Sequence, residues 1–107
     1  MTGRRVHERY TCDLPVTLVT ESGEITRTAS NISLGGMYLE PGADLPYGTT
    51  GTLRFRVPAL KEDANVDVVV RWIKPEGIGL QFGSLRAIEV WALNQYFKSL
   101  QPAPLPE

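Results

Sequence analysis

The sequence predicts a mainly β fold: a six-stranded antiparallel β-barrel with one C-terminal α-helix. Three observations predict it. Short stretches of period-two alternation recur between turn-forming residues from Leu14 to Phe82. The connections between them are too short for parallel crossovers, so neighbours pair antiparallel. Six such twisted strands tend to close or half-close, which removes exposed edges. After Gly83 the apolar spacing changes from two to three and four, the period of a helix that covers a mouth or flank of the barrel.

Residues 1–10 read as a polar arm. Arg4, Arg5 and Arg9 fall within six positions, against one acid, Glu8. Two readings stay open: a solvated terminus, or an anion clamp, since guanidinium groups grip phosphates bidentately and stack on planar bases. Residues 11–100 read as the barrel domain with its helix, and 101–107 as a Pro-rich tail.

Leu14, Val16 and Leu18 alternate with Pro15, Thr17 and Val19, a strand with one buried face; Pro15 marks an edge or a bulge. Glu21-Ser22-Gly23-Glu24 is a hairpin turn, and Ile25 to Ile32 is the second strand. Met37 to Glu40 is short and is closed by Pro41-Gly42. The loop to Gly51 is rich in Pro and Gly. Leu53, Phe55 and Val57 form one side of the fourth strand, which Pro58 ends. Val66, Val68, Val70 and Trp72 share one side of the fifth. After Lys74-Pro75-Glu76-Gly77, Ile78, Leu80 and Phe82 share one side of the sixth. Ser84 is the expected N-cap of a helix running to about Leu100, with a stripe of Leu85, Ile88, Ala92, Tyr96 and Leu100. Val90, Leu93, Phe97 and Trp91 widen that stripe beyond what one buried side requires. It reads either as a contact surface or as deep packing on the barrel.

Bulk properties narrow the function. A chain of 107 residues fits one domain with its own core. A net charge of −1 argues against a general nucleic-acid binder with a broad basic face. One cysteine, Cys12, leaves no intrachain disulfide and suits a reducing cytoplasmic setting. No apolar run approaches the ~20 residues that span a bilayer, and the opening residues lack the apolar core of a signal peptide. His7 is the only histidine, so a His/Cys metal cluster is excluded. Ser33 has no obvious base nearby in sequence, and P-loop and dinucleotide fingerprints are absent. An enzyme is not expected.

What remains is Asn31-Ile32-Ser33-Leu34-Gly35-Gly36, between the second and third strands. An amide, a hydroxyl and two adjacent glycines suit an ordinary turn. They also suit a place where a ligand meets the backbone closely. Arg5-x-x-x-Arg9 stands before the first strand, and Asn31-x-Ser33-x-x-Gly36 follows the second. In this arrangement the chain resembles the PilZ domain, a bacterial receptor module for cyclic di-GMP. That family carries R-x-x-x-R before the first strand and [D/N]-x-S-x-x-G between the second and third. Trp72 to Phe82 is similar to its last two strands, and the closing helix fits. The likeness covers almost the whole chain.

The resemblance implies that cyclic di-GMP is the ligand. Arg5 and Arg9 would be its principal contacts and Arg4 a helper. Asn31, Ser33 and Gly36 would form the barrel-surface half of the site. The chemistry is coherent: guanine O6 and N7 form an acceptor pair suited to the guanidinium fork, and Gly36 leaves room where a Cβ would collide with a base. Trp72 resembles a position where some family members place an aromatic at the ligand; its register with Val66, Val68 and Val70 equally suits a core residue. A short polar terminal arm is expected to be mobile and to order on binding. Output would then pass through a downstream protein partner or through self-association, as in a homodimer. No DNA or RNA partner, no membrane insertion and no cofactor are implied. Two alternatives stand beside this: a PilZ-fold protein–protein interaction module acting without the ligand, and a small barrel binding single strands, which the balanced charge opposes.

Overall fold

The computed structural model describes residues 8–103. Arg4, Arg5, His7 and the expectation of a mobile arm lie outside the described residues.

The strands are β1 (Tyr10–Thr20), β2 (Gly23–Ile32), β3 (Gly36–Glu40), β4 (Thr50–Phe55), β5 (Ala64–Lys74) and β6 (Gly77–Phe82). They are followed by the helix α1 (Ala87–Phe97) and a two-residue strand, β7 (Gln101–Pro102). Every pairing is antiparallel. The order β2-β3-β6-β5-β4-β1 returns to β2 through β1, so six strands close a barrel. The fold class read from the sequence is the one observed.

Alternation builds the core. Leu18, Leu39, Leu53, Val66 and Ile78 come from five different strands and are all buried. Sequestering a side chain of this size from water contributes about 1.5–3 kcal/mol. The β1–β2 hairpin turns at Glu21-Ser22. Gly23 takes φ +128° there, a conformation that favours glycine. Pro15 lies outside the segment of β1 that pairs with β4, which runs only from Thr17 to Val19. Its missing N–H therefore costs no ladder bond to β4.

The helix departs from expectation at both ends. It starts at Ala87 with Arg86 as N-cap, not at Ser84, and it ends at Phe97. Glu89 decides the start. Its buried carboxylate accepts the Arg86 backbone N–H at 2.8 Å and the guanidinium at 2.9 and 3.1 Å. Ser84 has no acidic or amide partner three residues on, because that position is Ala87. The buried stripe is Glu89, Ala92, Leu93 and Phe97. Ile88 and Trp91, placed on or beside the expected stripe, are 49% and 52% exposed.

The segment after the helix folds back onto the first strand. Gln101 and Pro102 pair with Thr11 and Tyr10, and the Ala103 N–H donates to the Arg9 carbonyl at 2.8 Å. Tyr10 stacks on Phe97 with ring centroids 4.6 Å apart. Thus the residue where the arm enters the barrel is held from two sides. No helix among the described residues is long and apolar enough to cross a membrane.

Candidate functional site

Three irregularities set the geometry of the site. On β2, pairing to β3 skips Ser30: Ala29 faces Leu39 and Asn31 faces Tyr38. On β1, Cys12 and Asp13 together lie opposite that same Ser30. On β5, pairing to β6 skips Arg71: Val70 faces Leu80 and Trp72 faces Gly79. An extra residue shifts the phase of a strand, so every later side chain changes face. Without the shift Asn31 would follow Ala29 into the core. With it Ile32 is buried and Asn31 is half-exposed. Trp72 would likewise follow Val66, Val68 and Val70 inward. It is instead 67% exposed, so its reading as a core aromatic is overturned.

The strand registers then align Asn31, Tyr38, Gly79 and Trp72 across β2, β3, β6 and β5. At the spacing of neighbouring strands, this row spans about 14 Å of the outer barrel surface. It crosses β6, where Gly77 and Gly79, buried under neighbouring rings, alternate with the core-facing Ile78 and Leu80. The Trp72 indole lies over Gly79: a Cβ there would sit 2.9 Å from Trp72 Cβ and 3.0 Å from Cγ. The tip of the Tyr38 ring lies over Gly77 in the same way. Burial, with the charges of Glu76 and Glu40 adding to it, pushes the Tyr38 phenol above its ordinary pKa, so it stays neutral.

At the β2 end of the row, Arg9 Nε donates to Asn31 Oδ1 at 2.9 Å. This hydrogen bond joins the last residue of the arginine motif to the first of the Asn-Ser-Gly motif. Ser33 is 2% exposed and works on its own turn: its Oγ accepts the Gly35 N–H at 2.9 Å, and its N–H donates to the Gly36 carbonyl at 2.9 Å. Gly36 is buried where β3 starts against β6. A Cβ on it would run into the Leu80 carbonyl oxygen. The barrel itself therefore demands glycine at this position, whatever a ligand requires. Of the residues singled out by sequence, Arg9, Asn31, Ser33 and Gly36 come together, and Trp72 lies three strands away on the same row. Arg4 and Arg5 fall outside the described residues. Tyr38, Gly77 and Gly79 were missed. The signal for the glycines was the run Gly77-Ile78-Gly79, which leaves one side of that short stretch without a side chain.

Other chemistry-bearing residues are occupied elsewhere. A groove of about 290 Å3 between β1 and β4 is lined by Arg27, Arg54 and Arg56. Arg54 pairs with Glu24 at 3.5 Å and Arg56 with Asp63 at 3.1 Å, while Arg27 donates to the carbonyls of Thr26, Pro41 and Gly42. The Cys12 thiol donates to the Ala29 carbonyl at 3.2 Å. Burial, reinforced by the Asp13 charge, pushes it up to about 11, so it is a poor nucleophile.

Comparison with known proteins bears on the barrel as a whole. The family model described as PilZ domain matches residues 3–99. The solved structure of the Bacillus subtilis inhibitor of motility, MotI/DgrA, superposes with a TM-score of 0.72 at 26% identity. The match covers 90% of this chain and 50% of that one, so the chain spans half the length of that structure. The PilZ domain of CeSA from a cellulose-synthesizing bacterium superposes with a TM-score of 0.67, over 85% of this chain and 95% of that one. At 14% identity that likeness speaks to the fold alone. Comparison with curated protein sequences finds no significant match. A family match across residues 3–99, on a closed barrel that joins Arg9 to Asn31, establishes that this chain belongs to the PilZ domain family.

Proposed function

We propose that the protein is a cytoplasmic receptor and adaptor for cyclic di-GMP, not an enzyme. The observation that carries this reading is the Arg9–Asn31 hydrogen bond, which seats one motif on the other. The ligand offers two phosphate charges and two guanines. Arg9 supplies charge and a planar fork at the rim of the row, and Asn31 supplies an amide that both donates and accepts. Trp72 supplies an exposed indole at the far end, on which a base can stack. Arg4 and Arg5 precede Arg9 on the same arm, and the ligand draws them onto this face. Ser33 and Gly36 act beneath it by fixing the turn.

Ordering of the arm is the switch. Arg9 is tied at its carbonyl to Ala103, next to β7, so a change in the arm bears on the segment that follows the helix. The output passes to a protein partner. The exposed Ile88 and Trp91, one turn apart on α1, are the surface offered to it. The same pair also supports the second reading, a PilZ-fold interaction module that works without ligand.

Calorimetric titration with cyclic di-GMP tests the first reading. The wild type should release heat with a defined stoichiometry. Arg9→Ala should bind at least tenfold more weakly, because it removes a charge-assisted contact. Its melting temperature should stay within about 5 °C of wild type, because the side-chain contacts it loses lie at a partly exposed site. A folded wild-type protein that takes up no ligand at millimolar concentration sinks the reading and leaves the interaction module.

A further inference from the structure

We infer that Tyr38 is a ligand-contacting residue of this site, its ring, laid over the buried Gly77 beside the Trp72 indole, forming the floor on which a purine ring lies between Asn31 and Trp72. The inference rests on the receptor reading above and adds to it a contact that neither sequence motif contains. If one ligand touches both Asn31 and Trp72, it must cross what lies between them. The registers place Tyr38 and Gly79 there, Tyr38 paired to Asn31 on one side and to Gly79 on the other.

The shape of that ground favours a flat, apolar-faced ligand. Tyr38 is half-buried on the outer face, between the fully buried Met37 and Leu39. Its ring is folded across β6 with the tip on Gly77, while the Trp72 indole lies on Gly79 from the opposite side. Two aromatic side chains thus lie over the Gly77–Gly79 half of β6, which has no side chain of its own on this face; Gln81, farther along, is exposed there and accepts from Arg71 Nε at 2.8 Å. Any Cβ at Gly77 would strike the Tyr38 ring, and any at Gly79 would strike the indole. The two glycines are what let both rings lie low, leaving their faces available. Aromatic faces accept a base by offset stacking without reading its edge. The edge is left to Asn31 and the arginines.

Three variants are titrated with cyclic di-GMP beside Arg9→Ala. Tyr38→Leu fills similar space over Gly77 without an aromatic face. It should weaken binding roughly 5- to 100-fold, the range seen when one stacked aromatic is removed from a base. Tyr38→Phe keeps the face and should stay within about threefold of wild type. Gly77→Ala keeps Tyr38 but lifts its ring, and should weaken binding as Tyr38→Leu does. Circular dichroism melts confirm that each variant is folded. If Arg9→Ala loses the ligand while Tyr38→Leu binds like wild type, the inference is overturned and the receptor reading stands. A loss in Tyr38→Phe as large as in Tyr38→Leu also overturns it, by assigning the effect to the hydroxyl. If wild type itself does not bind, the receptor reading fails and the inference falls with it.

Discussion

Replacing Gly36 by alanine separates two reasons for that glycine. A Cβ added at Gly36 meets only backbone. It would strike the Leu80 carbonyl oxygen and lie 3.0 Å from Leu80 C and 3.2 Å from Gln81 Cα. Carbon atoms pack best at about 3.5–4.0 Å. None of these atoms belongs to a side chain that can rotate away, so β3 must move off β6. The shift endangers the Gly36–Gln81 pairing and the Phe82 N–H to Gly35 carbonyl bond of 2.8 Å. Overpacking costs about 1–3 kcal/mol, and a weakened backbone hydrogen bond about 1 kcal/mol. A total of about 3 kcal/mol would lower the melting temperature of a domain this size by roughly 10–20 °C. Thermal unfolding followed by circular dichroism, with no ligand present, reads this directly. If Gly36→Ala melts within about 2 °C of wild type and loses only its affinity for cyclic di-GMP, the packing argument is wrong. Gly36 would then be there to make room for a base.

Trp72→Ala should behave in the opposite way. The indole is mostly exposed, so the melt should move by no more than about 2 °C while affinity for the dinucleotide falls several-fold; a large loss of stability would return Trp72 to the core. Glu89→Ala removes the carboxylate that holds Arg86 at the start of α1. Its cost should be about 1–2 kcal/mol, or roughly 5–15 °C in melting temperature, and a variant melting with wild type would show that another group starts the helix. Cys12 makes stability depend on alkaline pH. Its thiol is held protonated in the fold, so its contribution is intact below the ordinary value of 9.0 and is lost as pH climbs through about 11. Urea midpoints between pH 8 and 11 should fall more steeply for wild type than for Cys12→Ala, and parallel curves would show that the thiol titrates freely.

Much of the barrel was legible because alternation is a local signal. Leu14, Val16 and Leu18, or Ile78, Leu80 and Phe82, declare a buried face within one short stretch. The helix was harder to bound. Ser84 looked like an N-cap by residue type, but Glu89 three residues after Arg86 carries the stronger signal. The misplaced stripe has a related cause. Apolar side chains occur around much of α1, and only contact with the barrel decides that Ala92, Leu93 and Phe97 go inside while Ile88 and Trp91 stay out. The pairing of Gln101 and Pro102 with β1 was invisible, since nothing local in Gln-Pro-Ala marks a partner ninety residues away.

The site was legible as motifs but not as geometry, and the bulges are the reason. A bulge is a property of two strands, because the extra residue is extra only relative to its neighbour. Ser30 and Arg71 carry no sequence mark that distinguishes them from regular strand residues. Yet Ser30 turns Asn31 out of the core, and Arg71 does the same for Trp72. Strict alternation would have buried a polar amide without assured partners and left Ile32 in water, both unfavourable. The phase shift on β2 removes that conflict, and its by-product is a polar group on the surface beside Arg9. On β5 the same shift takes a large aromatic out of the barrel, although Val66, Val68 and Val70 before it pack inward. Hydrophobic burial alone would have kept Trp72 inside, where it would be sequestered from water. Burial therefore does not account for an indole left two-thirds exposed over Gly79, and the Trp72→Ala titration asks whether a planar ligand does.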